Sequence, residues 1–252
     1  MKTITRANLV IVAFLLSLTA MGQGKINHFY YNYLHNEKKV EFGIKAGVNT
    51  SKFGGFDDAK QKIGFVTGLT LDLNFSQRFY VLTGADFLNK GTKMHLKMNY
   101  SGLDLLFRNA SIDAMYLQVP VHAGYKMWIQ KTKISIHGGP YVAYGLGGQL
   151  KLSDNVIKTL GDGSTVTENL NDFVENVRGF KREWDTFSDK TPNGVDMDMY
   201  KPFDWGLGAG VSVEYERAVL SFNYDFGLAK ISRGSSKERN RAGYITLGYK
   251  LN

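Results

Sequence analysis

Cysteine is absent from all 252 residues. That excludes a disulfide framework, thiol chemistry and a lipidated cysteine anchor. Export without cysteine suits a bacterial envelope protein better than a small eukaryotic secreted domain. Beyond the first two dozen residues no stretch holds eighteen uninterrupted apolar residues, which excludes a membrane-spanning helix. There is no basic helix and no aromatic RNA-binding motif, so the formal net charge of +8 does not point to nucleic acid. Proline is scarce, at four residues against 28 glycines. What remains is abundant aromatics and apolar residues dispersed at period two, the composition by which a membrane-spanning barrel escapes a hydropathy plot.

The chain starts with an export signal. Lys2 and Arg6 give a positive start, Leu9 to Leu18 form a short apolar run, and Ala20-Met21-Gly22 supplies small residues for cleavage before Gln23. Loss of 1–22 lowers the charge to +6 and leaves 230 residues, which fits one barrel domain. Residues 23–40, aromatic and polar without a clean period, are a lead-in on the periplasmic side or a segment tucked beneath the barrel. Residues 41–252 form the barrel domain.

The clearest pattern is Pro202 to Leu228. Phe203, Trp205, Leu207, Ala209, Val211, Val213 and Tyr215 alternate with Asp204, Gly206, Gly208, Gly210, Ser212 and Glu214. After Glu216-Arg217-Ala218, Leu220, Phe222, Tyr224, Phe226 and Leu228 alternate with Ser221, Asn223, Asp225 and Gly227. Successive strand side chains point to opposite faces, so this is a two-faced hairpin. Each arm is about ten to twelve residues, the length that crosses a bilayer as a tilted strand. Similar patterns predict strands over Glu41–Asn49, Ile63–Asn74, Phe79–Asn89, Ile112–Met127, Lys133–Leu146 and Gly243–Leu251. Pro120 cannot donate to a ladder and implies a bulge or a local break. Gly138-Gly139-Pro140 implies a bend.

The connections alternate long and short. Lys90 to Ser111 reads as a long connection. Within 147–201 the period changes. Leu170, Phe173, Val174, Val177, Phe180 and Trp184 share a helical face over Glu168 to Phe187, and Thr165 to Glu168 matches a capping box. The expectation is therefore an all-β fold: an eight-stranded antiparallel up-and-down transmembrane barrel with short periplasmic turns, long extracellular loops and one loop helix.

Alternation alone does not say which face is outside. Three features favour apolar-out: a glycine-rich polar face with charges of both signs, large aromatics near strand ends, and the asymmetry of the loops. The polar face then supplies a lumen network of Lys45, Asp72, Asp86, His122, Lys126, His137, Glu214, Asp225 and Lys250. The alternative is a soluble, lipocalin-like barrel around an apolar ligand. Eight strands enclose a space that side chains fill, which argues against a wide pore.

Here the residues resemble a family. FGIKAGVNTSKF, GLTLDLNFSQRFYVLTGADFLNKG, YLQVPVHAGYK, GGPYVAYGLGG and the closing GYITLGYKLN resemble the porin-like, PorT-type outer-membrane β-barrel proteins over nearly all of 23–252. The resemblance implies fold and a place in the bacterial outer membrane, not a substrate. It also implies insertion by the barrel-assembly machinery, although Leu251-Asn252 stands where such barrels usually end on an aromatic residue.

Chemistry is sparse. His122 and His137, with Ser135 nearby, permit an outer-membrane lipid-modifying enzyme, but the spacing matches no such motif, and two polar lumen histidines are the plainer reading. Asp196-Met197-Asp198 and Asp162-Gly163 lack the ligand count of a calcium loop. Arg178, Lys181 and Arg182 on the loop helix, and Arg233, Lys237, Arg239 and Arg241 in the last loop, are candidates to pair with lipid phosphates. The apolar stripe of the loop helix must cap the barrel mouth, lie on the membrane or bind a partner. The function expected is non-enzymatic: loop display, or an accessory role in an envelope or secretion complex. It needs no cofactor. The partners expected are outer-membrane lipid or lipopolysaccharide and an envelope protein.

Overall fold

The computed structural model describes residues 38–54, 59–100, 102–161, 163–177, 180, 183–188, 200–233 and 238–252. The export signal, nearly all of the lead-in, Asp162, Arg178, Lys181, Arg182, Asp196, Asp198 and Lys237 lie outside them. The elements in chain order are β1 (Val40–Gly54), β2 (Lys60–Asn74), β3 (Phe79–Tyr100), β4 (Leu103–Ile129), β5 (Thr132–Lys151), β6 (Asn155–Thr159) and β7 (Thr165–Asn169). Then come the helix α1 (Leu170–Asn176), β8 (Glu183–Asp185), β9 (Phe203–Tyr215), β10 (Ala218–Gly227) and β11 (Arg239–Lys250).

Eight of these strands form a closed antiparallel ring, β1-β2-β3-β4-β5-β9-β10-β11, in which β11 returns to pair with β1. Closure leaves these strands no free edge except where β4 and β5 rise above their neighbours. The seam runs from Gly43 opposite Lys250 to Gly54 opposite Arg239. Asn252 extends it: its side-chain amide donates to Val40 O (3.0 Å) and accepts from Phe42 N (2.6 Å).

One end of the ring is made of tight turns. Gln130 and Glu216 both take φ of 56°, the left-handed conformation that two-residue hairpin loops require. At the other end the strands rise well beyond bilayer thickness. β3 has 22 residues and β4 has 27, about twice the nine to eleven that a crossing needs. Two small additions widen this end. The β6–β7 hairpin pairs with β4 at Asp104–Leu106, and β8 pairs with β5 at Gln149–Lys151.

The pattern along β3 explains this height. Near the turns, Phe79 and Leu69 of β2 face outward and are 60% and 61% exposed, while Tyr80 and Asp86 face inward and are buried. Past Thr92 the alternation continues with its sign reversed. Met94 and Leu96 now face in and are buried, and Lys93, His95 and Lys97 face out. A strand that leaves lipid for water must exchange its two faces in this way. On β4 a one-residue bulge accompanies the change: Ala110 faces Met94 but Phe107, not Arg108, faces Leu96. Among the described residues no helix is long and apolar enough to cross a membrane.

Several expectations are corrected here. The sheet has eleven strands; the eight-strand expectation holds for the ring. Lys90 to Ser111 is not a loop but the top of the β3–β4 hairpin. The helix does not run from Glu168 to Phe187; α1 spans only Leu170–Asn176, with Asn169 as its N-cap. The capping box is not used: β-branched Thr165-Val166-Thr167 favours a strand, and Glu168 pairs with Lys158 of β6. Val177 is already extended, so Trp184 reaches the same apolar cluster from β8 instead of from a helix. Pro120 breaks the pairing with β3 without shifting register. Pairing of β5 with β9 runs straight through Gly138-Gly139-Pro140, while its pairing with β4 skips Gly139 and Pro140. The last strand begins at Arg239, not Gly243.

Candidate functional site

The lumen is a column of paired charges in three levels. At the turn end, Glu41 of β1 and Asp72 of β2 are direct cross-strand partners, a like-charge arrangement that is unfavourable alone. Lys250 of β11 answers it by contacting both, at 3.5 Å from Glu41 Oε2 and in a close ion pair with Asp72. Lys126 and Lys133 also approach Glu41, at 3.5 and 3.7 Å. Lys126 Nζ donates to Asn74 Oδ1 (2.7 Å) and lies 4.9 Å above the Tyr80 ring. Lys133 pairs with Glu214 on the adjacent strand at 2.7 Å.

At mid-height Lys45 pairs with Asp86 at 2.9 Å. His122 of β4 and His137 of β5 stack, with their Nδ1 atoms 3.0 Å apart. One ring nitrogen must donate and the other accept, so at least one imidazole is neutral. The glycines of β9 make room for these rings. A Cβ at Gly208 would meet His122 Nε2 at 2.8 Å and Asp225 Oδ1 at 2.9 Å; one at Gly210 would meet His137 Nε2 at 2.8 Å and collide with Asn223 Oδ1. The space left is a cavity of about 50 Å³ lined by Thr70, Ser135, Ser212, Ser221 and Thr246. At about 10–15 Å³ each, that volume holds a few waters and no larger solute.

The third level centres on Lys90, which is fully buried. It lies 3.7 Å from Asp204 and 3.8 Å from Asp225, donates to Gln118 Oε1 (2.9 Å), and faces the rings of Tyr116 and Tyr141. Gln118 and Tyr244 donate to the two oxygens of Asp225 at 2.8 and 2.9 Å. Asn240 donates to Asp204 Oδ2 at 2.8 Å.

Above Lys90 the interior turns apolar. Phe53, Met94, Leu105, Phe107, Val156 and Ile231 form one buried cluster. Leu170 and Phe173 of α1 join it, and Phe180 stands against Phe173, Phe107 and Trp184 at ring separations of 5.0, 6.3 and 5.5 Å. The apolar stripe thus caps the barrel mouth from inside the cluster. Its members were legible; their shared helix was not the means of bringing them together.

All nine expected lumen residues face the interior and take part in this column. Sequence reasoning missed Glu41, Lys90, Gln118, Lys133, Asp204 and Tyr244 as members of it. Lys90 was hidden by Asn89-Lys90-Gly91, which reads as loop chemistry, although it keeps the inward parity of Asp86 and Leu88. The basic residues expected at lipid phosphates separate. Arg233 Nε donates to Tyr200 O (3.3 Å), whereas Arg239 and Arg241 stand exposed on the outward face of β11.

An apolar exterior around a charged interior excludes the soluble lipocalin-like alternative. Over residues 23–233 the chain matches the family described as outer membrane protein beta-barrel domain. The chain belongs to that family. The outer-membrane barrel is accordingly a protein of the bacterial outer membrane, and its exposed apolar band is its lipid-facing surface. Similar solved structures include OprG from Pseudomonas aeruginosa, at 14% identity, covering 86% of this chain and 98% of that one with a TM-score of 0.42. Neisserial surface protein A gives 12% identity, 84% and 98% coverage and a TM-score of 0.38. Ail of Yersinia pestis gives 11%, 85% and 100% coverage and 0.35. Likeness at this level says nothing of activity or ligand. Among curated proteins none matches the chain.

Proposed function

We propose that this outer-membrane barrel is a closed, non-enzymatic platform of the PorT-like type, which presents its loop end outside the cell or to an accessory complex of the envelope. The observation that carries the reading is the interior: a column in which every lysine approaches a carboxylate, sealed above by the apolar cluster. Such an interior offers no continuous water path. The five lysines (Lys45, Lys90, Lys126, Lys133 and Lys250) stand beside six carboxylates (Glu41, Asp72, Asp86, Asp204, Glu214 and Asp225), so no field of one sign draws an ion through.

His122, His137 and Ser135 face the lumen and not the lipid, which speaks against chemistry on membrane lipid. The short turns belong on the periplasmic side, as insertion from that side by the assembly machinery requires. The tall β3–β4 hairpin, β6–β7 and α1 are then the surface offered to an envelope partner. Purified protein in planar bilayers is expected to give no stable single-channel steps; large, stable steps would overturn the reading.

A further inference from the structure

The lysines of the interior are paired, and at the loop end Lys62 pairs with Asp113 at 2.5 Å and Lys151 with Glu183 at 3.8 Å, but among the described residues five other outer cations there have no carboxylate partner. On β1, Lys52 lies two outward positions beyond Val48; on β11, Arg241 lies two beyond Ile245. Lys52 and Arg241 are direct cross-strand partners. On the next pair of strands Lys60 of β2 stands directly opposite Lys93 of β3, both exposed. Arg239 follows Arg241 on the same face, opposite Gly54. Among the described residues none of these five cations forms an ion pair with a carboxylate. Arg241 is held over the Phe226 ring, 4.9 Å from its centroid, so its guanidinium is oriented at the upper edge of the apolar band.

Like charges directly opposite on a sheet are destabilising, and here two such pairs occur on four adjoining strands. Their height matters as much as their sign. They begin just where outward side chains change from Val48 and Ile245 to polar residues, which is the level of lipid headgroups. We infer that Lys52, Arg241, Lys60 and Lys93 form a binding site for the phosphates of an outer-leaflet glycolipid. The acyl chains of that lipid lie along the apolar face below, near Val48 and Ile63. Arginine offers two parallel donors to one phosphate, and the lysines act as point charges on the other oxygens. Lys97 and Arg108, exposed higher on the same hairpin, fit phosphorylated sugars farther from the bilayer. The inference rests on the proposed outward placement of the loop end. That placement is tested separately by labelling an Asn99→Cys variant on intact cells with an impermeant maleimide; no native cysteine interferes.

The test uses the full-length protein in detergent with three probes: bis-phosphorylated lipid A, the same lipid dephosphorylated, and inorganic phosphate. Arg241→Glu and Lys60→Glu are the variants of choice, because each creates an opposite-charge cross-strand pair, with Lys52 and with Lys93. Both variants should therefore fold at least as well as the parent, as read by heat-modifiable migration. The expected result is that phosphorylated lipid A binds, that each variant weakens it by about tenfold, and that added salt weakens it further. Equal binding of the dephosphorylated lipid, unchanged binding by the variants, or inorganic phosphate binding as tightly as the lipid would each overturn the assignment. A maleimide-unreactive Asn99→Cys with lipid binding intact would instead refute the placement and, with it, the assignment of these cations to an outer-leaflet lipid.

Discussion

Lys90 shows what a single residue contributes. It is a buried cation between Asp204 and Asp225, and its removal leaves two buried carboxylates short of a positive neighbour. Lys90→Met is expected to lower stability by about 3–5 kcal/mol, measured as the denaturant midpoint of the refolded barrel. The triple change Lys90→Met, Asp204→Asn, Asp225→Asn should regain most of that loss, since it removes the charges together. Glycines act at the same scale. Gly208→Ala and Gly210→Ala push a methyl group into the His122 and His137 rings and should each cost about 1–3 kcal/mol; loss of the heat-resistant folded band at lower temperature checks this. The sequence shows that the polar face is rich in glycine. It does not show which ring lies on which glycine, because that depends on the register of three strands.

The strands themselves were largely legible, and they were missed where the solvent changes. From Phe79 to Leu88, and from Met115 to Tyr125, lipid outside and polar groups inside give a clean period of two. Above Leu88 the outward residues turn polar, above Thr92 the inward ones turn apolar, and the bulge at Arg108-Asn109 breaks the period on β4. A reader who expects one sign throughout ends the strand at Asn89. The loop helix failed for another reason. Leu170, Phe173, Val177, Phe180 and Trp184 do converge, but the free edge of β5 offers Glu183–Asp185 a ladder, and the helix stops after Asn176. Because Phe173 is fully buried in the plug, with Phe180 at 5.0 Å and the Lys158 ammonium of β6 over its ring, Phe173→Ala is expected to cost about 3–5 kcal/mol locally. Proteolysis should then nick residues 152–200 faster while the eight-stranded ring stays folded. A ring that unfolds together with the plug would show that the two are one cooperative unit.

At the scale of the molecule the barrel has two storeys built on one set of strands. The lower is apolar outside and charged inside; the upper is apolar inside and basic outside. The ladder is continuous between them, so the exchange of faces, and not any break in structure, marks the membrane surface. This account predicts the environment of each residue on β3 from its parity and height. Single cysteines introduced along Phe79–Lys97 into the cysteine-free chain, in reconstituted membranes, test it most directly. Outward positions 81 and 87 should react only with a lipid-soluble reagent, outward positions 93 and 97 with a water-soluble one, and inward position 96 with neither. Water-soluble labelling at 96 together with lipid labelling at 93 would contradict the exchange of faces and, with it, the closed two-storey barrel.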